Sequence, residues 1–249
     1  MSTRGTTDSA ILRAFDREAG GYAERWDVSP LVQFWRGRVL ARVLAAVPPG
    51  GRVADLGCGI GTDARLLQAG GCRVMGLDVS GEMVARSRAH GVDAVAAPLQ
   101  DAHLALGGDY DAVLCNFGVL NCLPSLEPLA AAIGGILRPG GQVFLVWMSR
   151  HCPADSLARL RRGLLPRRGR RQANVSGVEV PLRWWSVGEV VTALGPAFRV
   201  RGIEAIGLLD PPPDVGGTLG WRSAAEITVA LLPGLRHLGD HTLVHAVRS

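Results

Sequence analysis

Apolar residues recur at helical spacing in two segments near the beginning of the chain, residues 9–20 and 30–46. A spacing of three and four residues places such side chains on one face of a helix. Pro48 and Gly50 follow the second segment and end it. The pattern therefore predicts two helices ahead of the first strand.

From residue 52 to residue 148, short apolar runs alternate with helical patterns. The helical patterns cover residues 62–69, 81–89 and 125–137, and the apolar runs are RVADL, RVMGLD, VDAVAA, YDAVLCNF and QVFLVWM. Such runs are typical of strands buried on both faces. The alternation predicts βαβ units and a parallel sheet with helices on both sides. The segment LRPGG, residues 137–141, predicts a helix end and a tight turn before the fifth strand.

The pattern is weaker after residue 149. Residues 150–183 predict no particular element, and two segments beyond them, RVRGIEAIGLL and HTLVHAVR, are typical of strands. Helices are predicted over SVGEVVTALGPAF and from Ser223 to Leu232.

The composition is that of a folded globular protein: of 249 residues, 47% are hydrophobic and 20% are charged. The length suits one α/β domain spanning residues 1–249. No stretch approaches the roughly eighteen apolar residues of a membrane span, and no signal peptide begins the chain, so we expect a cytoplasmic protein without a transmembrane segment. The five cysteines have no CxxC or metal-ligand spacing, which predicts reduced core residues and no metal.

The net charge of +5 comes from one segment. Residues 159–171 contain seven arginines and no acidic residue, so the rest of the chain has a net charge of −2. Clustered guanidinium groups bind phosphates, carboxylates, acidic protein faces or membrane surfaces. A solvated loop explains the same run equally well.

A glycine-rich turn joins the first predicted strand to the following helix in VADLGCGIGTDARLL, residues 53–67. Gly57, Gly59 and Gly61 allow a sharp turn and close approach of a ligand, and the helix begins with free backbone N–H groups. Asp78 ends the second strand, where a carboxylate can accept hydrogen bonds from both hydroxyls of a ribose. Together these features predict a nucleotide site.

Two details of the turn argue against a dinucleotide. The glycines are spaced GxGxG, with Thr62 at the position of the third dinucleotide glycine, and Asp55 lies just before the turn. A carboxylate there repels a pyrophosphate and suits an ammonium or sulfonium group instead.

Four segments resemble, in order and spacing, the motifs of class I S-adenosylmethionine-dependent methyltransferases: DLGCGIG, VMGLDVSGEMV, DAVLCNFGVLNCL and LRPGGQVFLVWM. The resemblance covers residues 50–149. FDREAGGYAERWD, residues 15–27, is similar to the amino-terminal helix that helps to close the cofactor site in small-molecule members. The ubiquinone/menaquinone-biosynthesis and natural-product enzymes are the most similar subgroup.

The resemblance implies a Rossmann-like α/β three-layer sandwich. Its sheet has seven mostly parallel strands, with the last strand antiparallel, and it carries amino-terminal helices and a cap insertion. The parts of this chain would be an N-terminal helical lid (residues 1–50), a cofactor-binding core (51–149), a cap over the substrate (150–183) and a C-terminal completion of the sheet (184–249).

The resemblance also assigns residues to parts of S-adenosylmethionine. Asp55, Gly57 and Gly59 would meet the methionyl part, Asp78 the ribose, and Val79 and Met83 the adenine face. The adenine edge would be held by the backbone of Leu99 and by Gln100 or Asp101, although Pro98 replaces the first residue of the family's D-A-E-D-L motif. Asp101 could equally cap a turn. Tyr22 would close over the site.

Two residues are candidates for catalysis. Asn116 follows the fourth strand at the crevice where the strand order reverses; it could instead bind a loop backbone or the cofactor carboxylate. His151 follows the fifth strand, and could act as a base or lie at the surface. We set aside His237, His241 and His245 because the last strand is expected in the other half of the sheet; His90 lies at a helix end, and His103 has no stronger case than His151.

The sequence therefore predicts methyl transfer from S-adenosylmethionine to a small, largely apolar metabolite. An RNA methyltransferase that uses the Arg159–Arg171 run is the first alternative, and a cofactor-binding protein that does not methylate is the second. The acceptor and the oligomeric state do not follow from the sequence.

Overall fold

The computed structural model describes residues 3–165 and 172–249. Seven strands form the central sheet: β1 (Arg52–Leu56), β2 (Arg73–Asp78), β3 (Asp93–Ala96), β4 (Tyr110–Cys115), β5 (Leu137–Met148), β8 (Phe198–Ile206) and β9 (His241–Arg248). A separate hairpin consists of β6 (Gln172–Val175) and β7 (Val178–Pro181). The strand order in the sheet is β3-β2-β1-β4-β5-β9-β8. The first five strands pair in parallel, and β9 is antiparallel to both β5 and β8, which confirms the predicted fold class.

Ten α-helices are described: α1 (Thr3–Glu18), α2 (Pro30–Ala46), α3 (Thr62–Ala69), α4 (Gly81–Ala89), α5 (Ala102–Leu106), α6 (Val119–Cys122), α7 (Glu127–Ile136), α8 (Pro153–Arg161), α9 (Val187–Leu194) and α10 (Trp221–Val229). A π-helical turn spans Ala23–Asp27, and 3₁₀ turns span Ala19–Gly21, Leu99–Asp101 and Pro213–Val215. Among the described residues, no helix is long and apolar enough to cross a membrane.

The apolar strand runs arise because both faces of the sheet are buried. Val53, Leu114 and Phe144 pack with α2 and α3 on one face. Ala54 and Leu145 face the other way, into a cluster that includes residues of α7 and α9. Successive side chains of a strand point to opposite faces, so each central strand supplies both clusters.

Two segments differ from the prediction. The helix expected over residues 125–137 ends at Ile136, and Leu137 already pairs with Tyr110 in the sheet. The expected turn is therefore a bulge within β5, where Gly140 has a φ of +74° and the pairing resumes at Gln142. Residues 150–183, for which no element was predicted, contain α8 and the β6–β7 hairpin.

The sequence signal for the hairpin is short. Its turn is Ser176-Gly177, and both residues have positive φ angles, of 47° and 80°. A two-residue turn of this kind matches the twist of the flanking strands. Each strand is only four residues long, so alternation over such a length predicts a strand weakly.

An ion-pair cluster attaches α2 to the far edge of the sheet. The guanidinium group of Arg38 contacts both Glu204 of β8 and Glu226 of α10. The Glu226 carboxylate also accepts hydrogen bonds from the backbone N–H groups of Gly207 and Leu208, at 2.8 and 2.7 Å. Arg42 binds Glu204 at 2.9 Å but is half exposed.

Replacing Arg38 with Met should destabilise the protein by about 3–5 kcal/mol, because the buried Glu226 loses its cation and Glu204 is left with the half-exposed Arg42. The measurement is the free energy of unfolding in urea. Arg42→Met is the matched control, and it should change this free energy by less than about 1 kcal/mol, because the Arg42 side chain is half exposed and Glu204 keeps Arg38. Equal losses of unfolding free energy in the two variants would show that the buried Arg38 ion pairs contribute no more to stability than the Arg42 pair.

Candidate functional site

The glycine turn after β1 is held against the end of β2. The N–H groups of Gly57 and Cys58 both donate to the carbonyl oxygen of Leu77, at 2.6 and 3.1 Å. Gly57, Gly59 and Gly61 have φ angles of 76°, 53° and 83°, a region that side chains disfavour. The turn therefore needs glycine at these positions for its backbone conformation.

The three glycines differ in what surrounds them. A Cβ atom on Gly57 would lie 2.3 Å from Cγ2 of Val119, and one on Gly61 would lie 2.6 Å from Oγ of Ser87. A Cβ atom on Gly59 would have no atom of the protein within 4 Å. Gly57 and Gly61 thus allow close packing within the protein, whereas Gly59 borders the open space in which a ligand can lie.

Asp78 links the turn to the following helix. Its Oδ2 accepts a hydrogen bond from the Gly59 N–H, and its Oδ1 accepts one from the Ser80 N–H, both at 2.9 Å. Burial raises the pKa of this carboxyl group, against the lowering effect of these backbone hydrogen bonds. Each carboxylate oxygen can accept a further hydrogen bond.

Asp55 is buried and is only 1% exposed. Its Oδ2 has no hydrogen-bond partner among the described residues. Burial and, after it, the charges of Asp63 and Asp78 raise its pKa well above the usual range. An unpartnered buried carboxyl group is unfavourable for the free protein, so Asp55 is a candidate for contact with a cation.

A buried arginine that the sequence analysis did not identify lies beside Asp55. Arg36 of α2 is 5% exposed; its Nη1 lies 2.8 Å from Asp27, and its Nε lies 2.5 Å from Asp63. The Thr62 hydroxyl also donates to Asp27, at 2.6 Å. The only hint in the sequence is an arginine within the apolar face of a predicted helix, next to Trp35.

Asn116 is part of the same network. Its Nδ2 donates to Asp63 at 2.7 Å, and its Oδ1 accepts from the Phe117 N–H at 3.1 Å. Phe117 has a φ of +46°, an uncommon conformation for this residue type, and the Arg36 guanidinium carbon lies 5.5 Å from its ring centroid. These bonds agree with the alternative in which Asn116 orders a loop; its catalytic role stays a prediction.

The residues assigned to adenine and to closure of the site lie in different environments. Tyr22 packs against a small cluster that contains Ile60 and Met83, and burial raises the pKa of its hydroxyl group.

The residues assigned to the adenine edge differ in exposure. Val79 is half-buried, as is Tyr22, and the Leu99 side chain belongs to the core. Gln100 and Asp101 are exposed; Asp101 makes no side-chain cap with the next helix. Their contacts with a cofactor stay predictions.

The remaining candidates lie apart from this cluster. His151 is exposed, the surface placement that the sequence left open, and its role as a base stays a prediction. Arg159, the first residue of the arginine run, is buried in ion pairs with Asp155 and Asp214, at 2.8 and 2.7 Å. It is therefore not free to bind an external anion. Arg167, Arg168, Arg170 and Arg171 lie outside the described residues.

Comparison with known proteins shows the family. Residues 31–176, more than half of the chain, match the model of the family described as "Methyltransferase domain". The chain therefore belongs to this methyltransferase family, and within it to the class I type defined by the seven-stranded sheet.

The chain is similar to the ubiquinone biosynthesis O-methyltransferase of Xanthomonas axonopodis pv. citri, with 32% identity over 117 residues. The alignment covers 45% of this chain and 48% of that protein, so the chain spans about half the length of the curated relatives it matches.

Two solved structures share the fold. An S-adenosylmethionine-dependent methyltransferase from Thermotoga maritima superposes with a TM-score of 0.65 at 18% identity, over 96% of this chain and 100% of that chain. Magnesium protoporphyrin IX methyltransferase from Synechocystis PCC 6803, solved with bound S-adenosylhomocysteine, superposes with a TM-score of 0.58 at 18% identity, over 98% and 100% of the two chains. At 18% identity, each superposition shows that the fold is shared.

The surroundings of the glycines predict unequal effects on stability. Gly57→Ala should lower the free energy of unfolding more than Gly59→Ala, because overpacking against Val119 costs about 1–3 kcal/mol. Both variants share a backbone penalty of about 1–2 kcal/mol for a left-handed conformation. Unfolding in denaturant measures the free energy of unfolding of both variants. A larger loss of stability in Gly59→Ala than in Gly57→Ala would contradict the packing described above.

Proposed function

We propose that this protein transfers a methyl group from S-adenosylmethionine to a small, largely apolar metabolite. The observation that carries the proposal is the buried carboxyl group of Asp55, whose Oδ2 has no hydrogen-bond partner in the described part of the chain, near an open glycine turn. Family membership supports the reaction type, and the relatives named above support a small acceptor.

The charges around the turn suit this cofactor. Asp55, Asp63 and Asp78 converge near one buried cation, Arg36, so the free site has an excess of carboxyl groups. S-adenosylmethionine carries an ammonium group and a sulfonium group, which such an excess stabilises. A pyrophosphate would meet repulsion here, which disfavours nicotinamide and flavin dinucleotides.

Each part of the cofactor has a candidate partner. Asp55 would pair with the ammonium group of the methionyl part. Asp78 has lone pairs left for the ribose hydroxyls, and Gly59 leaves room for close approach. Tyr22, Val79 and Met83 would form the apolar wall beside adenine, with Leu99, Gln100 and Asp101 at its edge.

When bound, the cofactor supplies an electrophilic methyl group on a neutral leaving group. The chain then has to align the acceptor and exclude water. Alignment alone can lower the activation barrier by up to about 7–11 kcal/mol in favourable cases. We propose that residues 1–50 and 150–183 close the site as lid and cap. In support, α1 packs against the β6–β7 hairpin, and Glu18 at the end of α1 contacts Ser176 in the hairpin turn and Arg25, the latter at 2.9 Å.

The alternative of an RNA methyltransferase has less support. Its motivation was the arginine run, and Arg159 is already neutralised within the protein. The cytoplasmic location and the absence of a metal stay predictions.

Calorimetry with S-adenosylmethionine and S-adenosylhomocysteine tests the proposal. We expect binding of both in the micromolar range and no competition by nicotinamide dinucleotides. Gly59→Ala should weaken this binding at least tenfold, because the added methyl group lies in the ligand space. A folded parent protein that binds neither compound would refute the proposal.

Asp55 should make the affinity depend on pH. Its pKa is raised in the free protein, and a bound cation favours the ionised form. The affinity should therefore rise with pH until the pH exceeds that pKa, and binding below it should release a proton. Arg36, Asp63 and Asp78 also face this group, so Asp55→Asn is the necessary control.

In Asp55→Asn this pH dependence should flatten and the affinity should fall. The variant should be at least as stable as the parent, because a buried unpaired carboxyl group is removed. Calorimetry in buffers of different ionisation enthalpy measures the released proton. An unchanged proton count in the variant would show that Asp55 does not face the cation.

A further inference from the structure

The helix α8 has its polar and apolar residues reversed relative to an ordinary surface helix. Its buried residues are the charged Asp155 and Arg159. Four leucines of the helix and of the turn that follows it are exposed instead: Leu157, Leu160, Leu164 and Leu165. Single exposed leucines are normal on a protein surface. Four of them within nine residues form an apolar patch of the kind that marks a contact surface.

Ion pairs fix this reversed orientation. The Nε atom of Arg159 lies 2.8 Å from Oδ1 of Asp155, one helical turn earlier, and its Nη2 lies 2.7 Å from Oδ2 of Asp214 in the Pro213–Val215 turn. Breaking a buried pair of this kind leaves a charge desolvated and without its partner, which is strongly unfavourable. Rotating the helix to bury its leucines would break these pairs, so the leucines stay on the outside.

Backbone hydrogen bonds order the chain after the helix. The N–H groups of Gly163 and Leu164 donate to the carbonyl oxygens of Leu160 and Arg159, at 3.0 and 2.9 Å. Gly163 has a φ of +67°. These are the bonds of a Schellman motif, which ends a helix with a left-handed glycine. Leu164 is thereby held at the end of α8, beside the leucines of the helix itself.

Arginines accompany the exposed leucines. Arg161 and Arg162 are exposed, whereas the acidic residue of α8, Asp155, is buried and paired with Arg159. Residues 166–171 add four arginines and no acidic residue, but they lie outside the described residues. The part that is described is therefore both apolar and cationic. We call it the α8 face, and it consists of Leu157, Leu160, Arg161, Arg162, Leu164 and Leu165.

A second exposed aromatic and cationic pair follows a segment in contact with this face. A Cβ atom on Gly216 would lie 2.7 Å from Nη2 of Arg162, so the chain passes α8 at this point. Trp221 follows five residues later and is 77% exposed, with the guanidinium carbon of Arg222 5.7 Å from its ring centroid. Tryptophan and arginine are both suited to an interface between water and lipid.

We propose that the α8 face docks onto an anionic lipid membrane. Protruding leucines can enter the boundary of the acyl chains without a partner of matching shape, whereas a protein partner would need a pocket for each of them. The guanidinium groups would meet the lipid phosphates, with their aliphatic stems beside the leucines. The net charge of the chain outside residues 159–171 is −2, so an anionic surface attracts this part of the molecule selectively. The docking does not depend on the proposed function.

Flotation with lipid vesicles tests the proposal. The parent protein should bind vesicles of phosphatidylglycerol and phosphatidylcholine in equal parts, should bind phosphatidylcholine alone at least about tenfold more weakly, and should be released by high salt. Leu160→Ser should weaken binding to the mixed vesicles about tenfold, because a polar side chain replaces one that enters the lipid. Arg161→Gln combined with Arg162→Gln should weaken it by about the same factor, because two attractions to the lipid phosphates are lost.

The matched control is Leu104→Ser. Leu104 is 85% exposed, but it belongs to α5, which packs against α7 and β2 rather than against the α8 region. This variant should bind the mixed vesicles as the parent does. A parent that binds neither kind of vesicle, equal binding to both kinds, or equal losses in Leu160→Ser and Leu104→Ser would overturn the proposal. A parent dimer in sedimentation that Leu160→Ser dissociates would also overturn it, because the face would then belong to a second copy of the chain.

Discussion

The ion pairs of Arg36 are the interaction on which the site depends. This one buried guanidinium group joins Asp27 of the π-helical turn to Asp63 of α3, and Asp63 in turn binds Asn116 at the end of β4. The amino-terminal segment is thereby attached to the edge of the sheet beside the glycine turn. Removing one member of a buried pair costs about 3–5 kcal/mol, because the partner remains charged and desolvated. The network therefore ties the position of the amino-terminal segment to that of the start of α3 and the end of β4.

Asp55 and Arg36 show opposite ways of burying a charge. Arg36 has two carboxylate partners, whereas the described residues offer no hydrogen bond to Oδ2 of Asp55. Burial and, after it, the charges of Asp63 and Asp78 raise the pKa of Asp55. A free protein tolerates such a group by protonation, and a cationic ligand supplies the missing partner. In the proposed function, binding energy at this site would come partly from relieving this unfavourable feature of the free protein. Asp78 already accepts hydrogen bonds from two backbone N–H groups, and its remaining lone pairs would serve a ribose under the same proposal.

The antiparallel last strand has a consequence beyond completing the sheet. It presents its amino-terminal end, Asp240 and His241, where the parallel strands present their carboxyl ends. Side chains that are far apart in sequence, such as Phe117 and His241, become ring-to-ring neighbours. The pairing of β9 between β5 and β8 thereby also decides which of its side chains lie at the carboxyl ends of the parallel strands.

The sequence alone determined the parts governed by local rules. Apolar periodicity and glycine punctuation predicted α3, α4 and β9 with their observed bounds. The GxGxG spacing with Asp55 and Asp78 predicted a cofactor site, and the roles of these residues stay predictions. It did not predict the β6–β7 hairpin, whose four-residue strands are too short for a periodic signal. It also did not predict the bulge that makes the expected turn at residues 137–141 part of β5. It also did not reveal Arg36 or the placement of His241. These depend on contacts between residues far apart in the chain, and only the packing of α2 and the reversal of β9 decide which charges share a buried volume.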